Sequence, residues 1–285
     1  MNERPRWMGD LITVVAVAAL FGAVYLLPPD TSLAEVKQAR ILRICVPTRY
    51  PPLVTGKPEE PGFDIEFAQA AAQRLDARIV LNANAAMGRD FNPRNWNVTR
   101  AQCQMLAGGV VVSDLTRSFL DTTPPHLQTG WALVAAQLPT SLAGMTVGFY
   151  AGLVGLDRIA LSRFLRAQNA RVEIVASAEA LTDGLRSGRI DAGLSEALMA
   201  RQIAGTLGLQ VAWLPESLAR YPMAFGLWKG DLTLKRRLID IIDDLDRRGV
   251  TRELARRYRI APLETTLRLG YNGRPPYSIL TRNFR

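Results

Sequence analysis

Residues 178–200 read AEALTDGLRSGRIDAGLSEALMA, and they restrict the fold more than any other part of the chain. Ala180, Leu181, Gly184 and Leu185 recur at helical spacing, and Ser187-Gly188-Arg189 breaks the pattern. Residues 190–194 are apolar apart from Asp191, a run too short for a helix and suited to a central strand. Helix, tight turn, buried strand and a new helix in so short a span define an α/β unit. Glu196 falls just past the carboxyl end of the strand, where open α/β sheets hold their ligands. Two roles are open to it: a ligand contact, or a carboxylate facing the dipole of the next helix.

The alternation runs through most of the chain. A short helix over 33–39 precedes a strand over 42–46, which ends at Pro47 and the loop Arg49-Tyr50-Pro51-Pro52. A helix over 65–75 carries Phe67, Ala71 and Leu75 on one face, and a strand follows over 78–81. Residues 82–98 are Asn-rich and read as a long covering loop. A third strand over 104–112 contains Gly108-Gly109 and leads to Ser113-Asp114-Leu115-Thr116-Arg117. Two extended apolar runs, 131–136 and 222–228, read as crossovers and bracket a second alternating unit with a helix over 156–168 and a strand over 172–175. Helices over 234–248 and 251–258 then return to the first unit. Such a pattern predicts an α/β chain of two lobes, one inserted in the other: 31–133 plus 225–258, and 134–224.

Residues 11–27 are apolar and uncharged, and Arg4 and Arg6 precede them, which is the make-up of an export signal. No cleavage-type motif follows, so an uncleaved transmembrane anchor is expected within 1–30, the alternative being a removed signal peptide that leaves the chain secreted to the periplasm. The basic flank places the remainder outside, in the periplasm. In that oxidising setting Cys45 and Cys103 admit two readings. Their strands would be neighbours in a parallel sheet, allowing a bridge; otherwise they are two buried free thiols. With only these cysteines and the single His126, no metal site or cofactor is expected, and no nucleophile-elbow motif accompanies the histidine. The net charge of +9 favours an anionic partner, a membrane surface, acidic protein or acidic ligand. Nucleic acid fits poorly without a zinc spacing, an RNP-like motif or a basic helical stripe.

In their order these motifs resemble the periplasmic solute-binding proteins of amino-acid ABC transporters, the type II periplasmic-binding fold. The resemblance runs from about residue 39 to 258. It rests on Leu42-Arg43-Ile44, Tyr50-Pro51-Pro52, Gly62-Phe63-Asp64-Ile65-Glu66, Thr116-Arg117, Leu142-Ala143-Gly144-Met145-Thr146-Val147-Gly148 and Gly188-Arg189-Ile190-Asp191-Ala192. It implies that Arg117 holds a ligand carboxylate, Glu196 takes the ammonium, and Tyr50 packs on the ligand. Gly109, Ser113 and Gly152 complete the implied pocket. A zwitterion needs a fixed guanidinium and a carboxylate on opposing lobes, so that binding closes the hinge. Val111 and Leu153 stand where the family has hydroxyls, and Thr122-Thr123-Pro124-Pro125-His126 replaces its Phe-Ser-x-Pro-Tyr segment. Each lost polar contact costs about 1 kcal/mol of affinity.

Cys45 after Arg43-Ile44, with Cys103, is also similar to the binding-protein-like partners of periplasmic quinoprotein (methanol or alcohol) dehydrogenases. That similarity implies an accessory role with a vestigial cleft. The first expectation is therefore a membrane-tethered, non-enzymatic binding protein for a small polar ligand, working with an ABC permease. The second is a partner of a periplasmic dehydrogenase. A dehydratase on this fold would need a buried acid near Arg117. Asp64 and Asp191 are expected to order the scaffold, and Trp96, Phe91 and Trp131 to pack. The basic extension 259–285 partly echoes residues 42–53 and is expected to face a membrane or partner.

Overall fold

The computed structural model describes residues 13–19, 30–88, 93–151, 156–260, 265–267 and 269. They build two mixed sheets with helices on their faces. The first sheet holds β1 (Ile41–Val46), β2 (Arg78–Ala83), β3 (Met105–Val111), β4 (Leu120–Thr122), β5 (Leu127–Thr129) and β11 (Tyr221–Trp228). Its order is β2-β1-β3-β11-β4, with β5 also on β11; β1 runs parallel to β2 and β3, and β11 antiparallel to β3. The second holds β6 (Trp131–Ala135), β7 (Thr146–Phe149), β8 (Arg171–Ile174), β9 (Ala192–Glu196) and β10 (Gln210–Trp213), in the order β10-β6-β9-β7-β8.

In chain order the helices are α1 (Ser32–Ala39), α2 (Phe63–Gln73), α3 (Asp114–Phe119), α4 (Arg158–Ala167), α5 (Ala178–Arg186), α6 (Ala197–Leu207), α7 (Leu232–Arg247) and α8 (Val250–Arg257). Leu234, Leu238, Ile241, Ile242 and Leu245 make one buried stripe of α7. Each contributes about 1.5–3 kcal/mol by leaving water, and this stripe returns the chain to the first lobe. The opening stretch folds as helix, turn, strand and helix, but the strand starts two residues later than the apolar run predicts. Ile190 ends the turn by donating its N–H to the Gly184 carbonyl at 3.0 Å.

The two apolar runs taken as crossovers are themselves strands of different sheets. All of β6 is buried, paired with β9 and β10, and β11 is a central strand of the first sheet. The chain therefore passes from the first sheet to the second at Gly130, between β5 and β6, and back within 214–220, between β10 and β11. A run buried on both faces belongs inside a sheet; the changeovers fall on a glycine and on a stretch with Pro215.

The neighbouring strands β1 and β3 bring the cysteines together. Cys45 and Cys103 form a disulfide, with Cα atoms 5.6 Å apart, so the free-thiol reading is set aside. Met87, Trp96, Val98, Leu106, Val110 and Leu120 pack around it, the first three forming a hydrophobic cover over the bridge. Most of the apolar stretch 11–27, Gly152, Phe91 and nearly all of the tail lie outside the described residues. Among the described residues no helix is long and apolar enough to cross a membrane.

Candidate functional site

Glu196 ends β9 and caps α6, a position fixed by the abrupt change from strand to helix. It is wholly buried. One carboxylate oxygen accepts from Thr129 Oγ1 and the Leu198 N–H (2.9 Å). The other accepts from Tyr50 Oη (2.6 Å) and the Met199 N–H (3.2 Å). Of the two roles considered for the residue, the helix cap is present, and the carboxylate also grips a tyrosine of the opposite lobe. Burial pushes its pKa up against the lowering effect of these donors. Tyr50 is pushed well above its ordinary value, first by burial and then by the carboxylate beside it.

The resemblance implies that Glu196 and Arg117 hold opposite ends of a ligand, not that they bond to each other. Arg117 is exposed on α3, and no hydrogen bond or ion pair joins the two among the described residues. Tyr50 and Thr129 already donate to the Glu196 carboxylate, one to each oxygen.

A separate cavity of about 300 Å³ opens between the lobes. Gly109, Ser113 and Asp114 line it from the first lobe and Asp157 from the second, with Trp96 and Tyr221 at its sides. Val111 lines it too, where the resemblance implies a hydroxyl. Ser113 caps α3 by accepting the Thr116 N–H at 3.2 Å. Asp157 caps α4 through the Ile159 and Ala160 N–H groups, both at 2.9 Å, and Trp131 Nε1 donates to its carbonyl at 3.2 Å. No lysine or arginine lines the cavity among the described residues.

Gly108 and Gly109 hold the floor in left-handed conformations, φ +87° and +98°. A side chain at Gly108 would strike Pro47 and one at Gly109 the Tyr50 ring. Their N–H groups donate to Asp64 Oδ2 at 2.7 and 3.2 Å. Asp64 also meets His126 Nε2 at 3.1 Å, and the imidazole sits among Phe63, Phe67 and Phe225. Asp64 is scaffold, as expected, although it holds the Gly108-Gly109 irregularity within β3 rather than capping its helix. Asp191 is scaffold as well, accepting the Thr146 N–H at 2.7 Å. Trp96 both packs and lines the cavity.

Thr129, Asp157 and Tyr221 were not singled out by motif. Asp157 carried a usable signal, an Asp directly before a helical run. Thr129 and Tyr221 carry none, because their contacts are made by distant segments.

No protein-family model and no curated protein matches the sequence. Solved structures do. An ancestral cationic amino acid solute-binding protein aligns over 80% of this chain and 99% of its own, with TM-score 0.64 and 18% identity. A variant of ArgBP from T. maritima aligns over 81% and 100%, with TM-score 0.59 and 17% identity. An ABC uptake transporter substrate-binding protein from Streptococcus pneumoniae, with bound histidine, aligns over 81% and 97%, with TM-score 0.61 and 16% identity. The chain has the two-sheet α/β fold of the type II periplasmic-binding proteins, and its structural neighbours are amino-acid-binding solute-binding proteins.

Proposed function

We propose that the chain is a binding protein, tethered outside the inner membrane by its apolar N-terminal segment, that takes a small polar ligand between its lobes and passes it to an ABC importer. The observation that carries this reading is the interlobe cavity built by Gly109 and Ser113 on one side and Asp157 on the other. Carboxylates without a lining cation favour a ligand presenting an amino or guanidino group. Arg117, one turn beyond Ser113, is the cation available to a ligand carboxylate at the mouth. Neighbours described as binding cationic amino acids or histidine support that choice. One neighbour is described as a precursor of cyclohexadienyl dehydratase, but Glu196 here is spent on Tyr50, Thr129 and its own helix, which favours binding over catalysis.

Calorimetric titration of amino acids and small organic amines tests the proposal. A binder should lose about tenfold or more in affinity on Asp157→Asn, which keeps the helix cap and removes the charge. Arg117→Ala should weaken only ligands that carry a carboxylate. No heat from any compound would sink the reading.

The filled acceptors of Glu196 favour a second reading, an accessory partner of a periplasmic dehydrogenase with a vestigial cleft. Co-purification of a dehydrogenase with a chain that binds no solute would select it.

A further inference from the structure

A second concavity lies on the far face of the crossover strands. In β11 Tyr221 lines the ligand cavity, whereas Pro222 lines a separate space of about 580 Å³. Successive strand residues point to opposite faces, so the two spaces are separated by the sheet. The second space adjoins one of about 690 Å³, the two having Leu198, Arg201 and Ile260 in common in their walls. Their walls are two helix faces, one from each lobe. Leu198, Arg201, Gln202, Gly205 and Thr206 of α6 recur at helical spacing, and Thr251, Arg252 and Ala255 of α8 stand opposite.

The lining is basic. Arg49, Lys57, Arg220, Arg252 and Arg259 face the groove beside Arg201, which is engaged within the chain, and Glu60 is the one carboxylate among its described lining residues. Arg257 also lines it but is neutralised from outside by Glu66 and Glu253. The floor is partly apolar, with Leu127, Trp213, Pro222 and Ile260. Arg220 lies 4.8 Å over the Trp213 ring and donates to Thr266 Oγ1 at 2.9 Å.

We infer that this groove between α6 and α8 is a docking site for an extended acidic segment of a partner protein. A concave site suits a chain rather than a flat bilayer surface. The Trp213 ring is covered by Arg220, so it offers little for the base stacking that single-stranded nucleic acid uses. An extended acidic segment meets the arginines with its carboxylates and the apolar floor with its remaining side chains. Because it contacts both lobes, such a segment also sets their relative position. The inference is independent of the ligand cavity, which lies on the other face.

The test is fluorescence anisotropy of the full-length chain in non-ionic detergent with a labelled Glu/Asp-rich peptide of about twelve residues. Binding should weaken as salt rises. Arg252→Glu with Arg259→Glu should weaken it by about tenfold or more, and the Lys pair should retain most of it. Arg78→Glu with Arg171→Glu, exposed sites outside the groove with the same charge change, should change affinity less than about twofold. If the groove pair fails to fold by circular dichroism, Lys57→Glu on the loop takes its place. Equal losses in groove and control pairs would reduce the effect to net charge and overturn the site. So would an unchanged groove variant, or a single-stranded oligonucleotide or anionic-lipid micelle that competes better than the unlabelled peptide.

Discussion

At the scale of the residue, Glu196 shows how a motif position acquires its role from its surroundings. Its folded pKa is raised, so between the unfolded and folded values the native state holds more protons than the unfolded chain. Its contribution to stability is therefore fullest below its ordinary value and is lost as pH rises through the folded one. Asp30, Glu35 and Asp244 are shifted down and oppose this trend, so wild type must be compared with Glu196→Gln. Denaturant titrations across the acidic to neutral range should show the wild-type advantage over the Gln variant shrinking as pH rises. A difference independent of pH would refute the assignment. The sequence made Glu196 visible, since strand end and helix start coincide there. It could not show Thr129 or Tyr50 on the same carboxylate, because those contacts span 67 and 146 residues of chain.

At the scale of the element, the disulfide and the helical stripes were legible, and the edges were not. Parallel neighbours β1 and β3 follow from the strand order expected of a doubly wound sheet, and the cysteines fall where they can meet. The bridge closes a separation of 58 residues, which on the chain-entropy view stabilises the fold by about 4 kcal/mol. Replacing both cysteines by serine should lower the denaturant midpoint accordingly. A loss well under 1 kcal/mol would mean that the cluster around Trp96 holds these strands unaided. The apolar runs 131–136 and 222–228 misled because continuous burial looks alike in a crossover and in a central strand. Only pairing partners separate the two.

At the scale of the whole molecule, the lobes are tied by more than their crossovers. Tyr50 reaches from the first lobe to Glu196 of the second. After α8, Thr265 and Leu267 return to β10, where the Leu267 N–H donates to the Trp213 carbonyl at 2.8 Å. Tyr258 Oη, at the end of α8, donates to Glu66 at 2.6 Å and accepts the Gly62 N–H at 3.1 Å, which holds that return segment to α2. Tyr50→Phe leaves a buried carboxylate short of one donor, at a cost of about 1–3 kcal/mol. Stability should fall by that amount, and X-ray scattering should record a larger radius of gyration as the lobes part. A variant as stable and compact as wild type would show that the tyrosine does not latch the lobes.

The sequence by itself determined the α/β class, the order of the units, the nearness of the two cysteines and the scaffold role of Asp64 and Asp191. Those features arise from periodicity, turn residues and short-range geometry, all of which are written locally. Folding decided which carboxylate stays open and which is sealed. It set Glu196 against Tyr50 and Asp157 beside the cavity, and it aligned α6 with α8 into a basic groove. Each of these depends on how segments far apart in the chain approach one another, and no local pattern encodes that approach.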